Sequence, residues 1–298
     1  MNDVWHQIFN FTDYGALLAL VKNSLVAGAI LGVVGGLIGV FVVMRDLPFA
    51  VHGISELSFA GASAALLMGA NVVAGSLVGS LVAAAVIGVL GVRARDRNSI
   101  IGVLMPFGLG LGVLFLALYK GRAANKFGLL TGQIIAVDAP QLSWLAATSA
   151  VVLVTLAVLW RPLTFASVDP EVAAARGVPV RALAPIFTIV LGLAVAISIQ
   201  IVGALLVLAL LCTPAAAAMR VTASPVRVPL LSVLFATVSM LGGTLLALGS
   251  SVPISPYVTT ISFTIYLACR GVGAARARGA WTRRRAASPD RVATVRPT

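Results

Sequence analysis

Long apolar runs, each about the length needed to cross the hydrocarbon core of a bilayer, follow one another through most of this 298-residue chain, broken by short polar segments rich in arginine. A chain of this kind has no water to bond its backbone inside lipid, so each segment must satisfy its own N–H and C=O groups. Helices do so individually, whereas a barrel would show short segments alternating apolar and polar residues. Sixty per cent of the residues are hydrophobic and 10% charged, with a mean hydropathy of +1.06. The sequence therefore predicts an all-α, polytopic transmembrane helical bundle. Spans are expected at 25–44, 50–68, 72–91, 100–118, 143–160, 183–199, 201–218, 228–248 and 257–269. Because the last is short and 183–218 can be divided differently, eight and nine spans both fit.

Arginine marks the expected cytoplasmic side. With alternating spans, Arg45, Arg93, Arg95, Arg97, Arg161, Arg176, Arg181, Arg220, Arg227 and Arg270 share one side. Lys22, Lys120, Arg122 and Lys126 fall on the other. The formal net charge of +12 comes largely from those inner loops and the C-terminal tail, and calls for no nucleic-acid partner. Residues 1–13 are polar and carry no secretory signal pattern. Residues 271–298, rich in Arg, Ala and Gly without apolar periodicity, are expected to form a disordered basic cytoplasmic tail, with 1–270 as the transmembrane domain. Cys212 and Cys269 lie within apolar runs and read as small packing residues.

Three local features carry more. Gly28, Gly32, Gly35, Gly36 and Gly39 space small residues along the first span, which lets a neighbouring helix approach. DPEVAAARG, 169–177, has every mark of a short self-contained helix: Asp169 to cap it, Pro170 at its first position, Glu171 in the first turn, then Arg176 and Gly177 to end it. The segment 119–142, with Asn125, Lys126, Gln133 and Asp138, is half apolar and is expected to dip into the membrane and line a path.

The chemistry-bearing residues sit in AVHGISELSFAGASAALL, 50–67. A helix entering from Pro48 carries Glu56 about 12 Å into the bilayer, with His52 one turn shallower on the same face. An ionised carboxylate there costs on the order of 3 kcal/mol, so such a residue is paired, hydrated or functional. His52 and Glu56 are thus either glue between or within helices, or a cation or proton station on a transport route. The chain has no P-loop and no HExxH stretch. An intramembrane acid/base enzyme using the pair would lack a nucleophile partner at membrane depth.

The stretches GVFVVMRDLPFAVHGISELSFAGASAALL, NSIIGVLMPFGLGLGVLFLAL, FGLLTGQIIAVDAPQL, DPEVAAARGVPV, IVGALLVLALLCTPAAAAMR and SVPISP, in that order and spacing, resemble the membrane permease subunits of ABC transporters that import zinc, manganese or iron(II), relatives of the vitamin B12 and siderophore permeases. The resemblance implies an ABC importer architecture of the B12-permease kind in the bacterial inner membrane, with no stably bound cofactor and a divalent transition metal ion as cargo. Its implied partners are a separate cytoplasmic ATP-binding subunit, an extracytoplasmic solute-binding protein and a second permease chain in a homodimer. It makes Asp169, Pro170, Glu171, Arg176 and Gly177 an ATPase coupling helix within the loop 169–183. The family's usual Asp-x-x-x-His is replaced by His52 and Glu56, in reversed order. A family histidine aligns with Pro106, and family acids align with Gln133 and Ser251, which the resemblance nonetheless places on the metal route. The loss of those polar groups leaves a second expectation open, a permease of the same architecture for a chelated metal or another small solute.

Overall fold

The described segments bond their backbone as helices. In this computed structural model, which describes residues 21–91, 94–121, 137–248 and 253–286, ten helices occur and no strand among the described residues. They are α1 (Lys22–Met44), α2 (Pro48–Met68), α3 (Val72–Leu90), α4 (Ala94–Leu118), α5 (Ala139–Val168), α6 (Pro170–Ala175), α7 (Val180–Val202), α8 (Ala204–Val221), α9 (Arg227–Leu248) and α10 (Ile254–Ala286). Among the described residues eight of these, all but α6 and α8, are long and apolar enough to cross a membrane. The remaining apolar helix, α8, has 18 residues and rises about 27 Å.

The predicted split of 183–218 falls at Gly203, whose φ of 79° and ψ of 163° are accessible to glycine and strained for other residues. One residue therefore ends α7 and starts α8. Three boundaries differ from expectation. Helix α4 begins before position 100, taking in polar residues of the arginine-rich loop. Helix α5 starts with Pro140 in its first turn and runs past Pro162 to Val168. A proline removes one backbone donor, and the helix continues on the far side, where Thr164 and Ser167 hydroxyls donate to the carbonyls of Trp160 and Leu163.

The third difference corrects the tail. Residues 271–286 are helical and continue α10, not disordered. Alanine and arginine are strong helix formers, and the extension is anchored where Arg276 Nη1 donates to Val221 O at 3.0 Å and where Gly273 backs onto the Arg220 carbonyl. Residues 287–298 lie outside the described residues.

Helices α1, α2 and α7 form the centre, with 67% of each best apolar window buried against 22% for α4 and α5 and 17% for α10. The glycines of α1 explain its place there: Cβ atoms at Gly32, Gly36 and Gly39 would collide with Thr237, Val233 and the Leu211 carbonyl. The glycine face packs within the chain, on α9 and α8, and Ser232 Oγ donates to the buried Gly36 carbonyl at 2.7 Å. Contacts between Arg97 and Asp46 and between Arg276 and Val221, with Met44 and Met219 packed on one apolar cluster, gather Arg45, Arg97, Arg220 and Arg276 at one end of the bundle, as the loop arginines predict.

Candidate functional site

Helix α1 ends in a Schellman turn: Asp46 and Leu47 N–H groups donate to Val43 and Val42 carbonyls at 3.3 and 2.9 Å, and Asp46 adopts φ 54°. The chain thereby reverses, and Pro48 starts α2 at its first turn. Small residues then let α2 sink among three neighbours. Gly61 lies against Gly75 of α3, and Gly79 of α3 against the Leu57 carbonyl. A Cβ on Gly108 of α4 would lie 2.9 Å from the Glu56 carbonyl carbon. Hydroxyls reinforce the seam: Ser58 Oγ and Ser76 Oγ are 2.7 Å apart, and Ser55 Oγ donates to Ala204 O, at the start of α8, at 3.3 Å. Hydrogen bonds of this kind hold helices together in lipid.

His52 and Glu56 fall one turn apart on the same face, as the spacing predicts, with Nε2 and Oε1 separated by 3.7 Å. That is ion-pair range when the imidazole is protonated, but longer than a hydrogen bond. His52 is the only ionic partner of Glu56 among the described residues. The two groups are adjacent without being locked to one another, which leaves lone pairs for a third participant.

Along this face, exposure falls steadily from the arginine-rich end. Phe49 is 69% exposed, the His52 side chain 35%, the Glu56 side chain 9%, and Phe59 and Ser63 are fully buried. Beyond Glu56 the Phe59 ring lies flush on Gly112 of α4 beside Leu116 and Ala204. Ser63 lies beyond that ring, its hydroxyl buried and without a hydrogen-bond partner among the described residues. The face carrying Glu56 could have led to Phe59 and Ser63 by helical spacing alone, but nothing in the sequence tells of the ring's seat on Gly112.

Among the described residues no three His, Cys, Asp or Glu side chains cluster as a metal site. Gln133 and Ser251 lie outside the described residues, as does most of the segment expected to line a path; within it Asp138 is the N-cap of α5. Pro106 stands exposed on α4. Two cavities, one lined by Gln141, Thr148 and Gln200 and one by Phe41, Trp160 and Met219, include neither His52 nor Glu56. Cys212 and Cys269 are free thiols within the bundle.

The 169–177 segment folds as its residues dictate. Asp169 accepts a hydrogen bond from Val172 N at 2.9 Å, Pro170 and Glu171 occupy the first turn, and Gly177 closes the end with φ 84°. Ala173 is completely buried against a small apolar cluster with Ala166 and Leu183. Glu171, Val172, Ala174, Ala175 and Arg176 face outward. The result is a capped knob on the arginine-rich end, seated through one alanine.

Comparison with known proteins bears on this arrangement. The ABC 3 transport family matches residues 18–272. Over 234 residues the chain is 27% identical to the manganese transport system membrane protein MntC of Halalkalibacterium halodurans, covering 78% of this chain and 80% of that one. It is 25% identical over 254 residues to the high-affinity zinc uptake system membrane protein ZnuB of Haemophilus influenzae, covering 84% and 97%. Among solved structures it is similar to PsaBC from Streptococcus pneumoniae in complex with Fab, with a TM-score of 0.77 at 23% identity over 87% of this chain and 95% of that one.

Proposed function

Because this chain belongs to the ABC 3 transport family, we propose that it is the transmembrane permease subunit of an ABC importer for a divalent transition metal ion, manganese, zinc or iron(II). The single observation that carries the reading from family to mechanism is the His52–Glu56 pair, with His52 half-buried, Glu56 buried and the Phe59 ring packed beyond them. Imidazole and carboxylate together suit borderline and hard divalent ions. Two side chains form a weak station, which favours passage, since an ion must leave as readily as it enters.

In this reading a second copy of the chain completes the pathway, because the face bearing Phe49 and His52 is uncovered in one chain. Energy comes from a separate cytoplasmic ATP-binding subunit. Its closure on ATP is transmitted through α6, and the bundle then exposes the pair to the opposite side. An extracytoplasmic solute-binding protein delivers the ion, with Lys120 belonging to the outer region. The arginine-rich end and the basic extension of α10 face the cytoplasm of an inner-membrane protein, as the loop charge asymmetry supports. Residues 1–270 form the permease body, and Gln133 and Ser251 contribute to the metal route.

Uptake of radiolabelled manganese and zinc by cells carrying the complete transporter tests the pair. Glu56→Ala and His52→Ala are expected to reduce uptake at least about tenfold, the loss of roughly 1.4 kcal/mol or more of pathway stabilisation, with normal membrane insertion. Unchanged uptake removes the pair from the pathway. The absence of a three-ligand cluster among the described residues favours one rival, a permease of this architecture for a chelated metal or small solute. Uptake of a chelate by both variants, with no free-ion uptake by the unaltered protein, would establish that rival instead. The coupling role is tested separately: Glu171→Lys and deletion of 169–177 are expected to abolish co-purification of the ATP-binding subunit while the permease still inserts.

A further inference from the structure

Arg45 and Arg97 meet at the turn between α1 and α2. The Arg45 guanidinium lies over the Phe187 ring, its Cζ 5.6 Å from the centroid, and Arg97 Nη2 donates to the Asp46 carbonyl at 3.4 Å. Arg45 Nη1 and Arg97 Nε are nevertheless buried with no hydrogen-bond partner among the described residues. Burial, with the Arg97 charge beside it, lowers the Arg45 pKa from its ordinary value. Two like charges, each with an unused buried donor, are unfavourable neighbours unless an oxyanion lies between them. The left-handed backbone of Asp46, φ 54°, costs energy in a residue other than glycine, and it holds in place the carbonyl that fixes Arg97.

The level and the surroundings identify the anion. Arg45 immediately follows the last residue of one membrane-spanning helix, and Arg97 is the first residue of the apolar portion of another, which is the depth of the phosphate layer. Apolar side chains lie bare on the adjoining turns: Val89 and Leu90 in the last turn of α3, and Val103 on α4. The stem of Arg97 rests against Gly91, next to Leu90. We propose that Arg45 and Arg97 bind the phosphate of an anionic phospholipid headgroup, with its acyl chains against these exposed side chains. Guanidinium forks match phosphate oxygens in pairs, and two cations prefer a lipid of net negative charge over a zwitterion. The site is independent of what the permease transports.

The test uses the full-length chain in nanodiscs of phosphatidylcholine, alone or with phosphatidylglycerol, read by native mass spectrometry of retained lipid and by thermal unfolding. The unaltered protein is expected to retain phosphatidylglycerol preferentially and to unfold at a higher temperature with it. Retention is expected to fall about fivefold per arginine in Arg45→Gln and Arg97→Gln, and less in the Arg45→Lys and Arg97→Lys variants, which keep the charge and guard against misfolding. No headgroup preference in the unaltered protein, or undiminished retention in the glutamine variants, overturns the proposal. Equal stabilisation by inorganic phosphate in phosphatidylcholine alone assigns the site to a free anion and overturns the lipid.

Discussion

Helices α2 and α6 both carry polar groups that the proposed mechanism needs, yet they are held in opposite ways. Helix α6 is specified by its own residues: an aspartate cap, a proline start and a glycine end, seated through the single buried side chain of Ala173. Helix α2 is specified by its neighbours. Its glycines admit α3, Gly108 and Gly112 of α4 receive its backbone and the Phe59 ring, and its serines bond α3 and α8. A helix fastened at one point can be pushed by a partner without repacking the core. A helix fastened on three sides can keep a carboxylate in lipid at a fixed position, and it moves only when the bundle moves with it. In the proposed function, coupling and ion handling thus fall to elements with different mechanical character.

The contrast can be broken by substitutions in each helix. The largest effect is expected at the α2–α3 seam. Gly79→Leu drives a side chain into the Leu57 carbonyl and should cost about 3 kcal/mol or more, seen as lost folded protein in detergent extracts. If that variant folds and transports normally, α2 is not dependent on its neighbours in the manner described. A smaller effect is expected from Asp169→Ala, which removes the cap of α6 and should cost about 1 kcal/mol locally. Faster hydrogen exchange at Val172 and Ala173, with unchanged global unfolding, is the outcome that supports a separately held knob; an equal loss of global stability would join α6 to the core. The smallest is expected from Ser58→Ala. Hydrogen bonds between helices in lipid are worth about 0.6 kcal/mol, so removing the bond to Ser76 should lower stability by about that amount in a steric-trap or denaturant measurement. A loss several times greater would show that the serine seam, more than glycine packing, holds α2.

How much of this was legible in the chain differs between the two helices for the same reason. Asp169, Pro170 and Gly177 act on backbone groups within a few residues, so their spacing alone predicted α6. Helical spacing likewise placed His52 and Glu56 on one face. That the Phe59 ring is packed just past Glu56, and that Gly112 makes room for it, depends on the meeting of α2 with α4 across a long stretch of sequence. The extended α10 misled for another reason: its lack of apolar periodicity argued against a packed helix, while alanine and arginine propensity and the Arg276–Val221 bond made one.

Apolar runs of bilayer length, and the necessity of bonding the backbone where no water reaches, determined from the sequence that this protein is a bundle of membrane helices with most of its arginines at one end. Which glycine receives which neighbour, how deeply Glu56 is buried, and where two arginines are left with unused donors were decided by tertiary packing. Contacts between helices distant in the chain arise from the fit of surfaces, and no local rule of spacing or propensity encodes that fit.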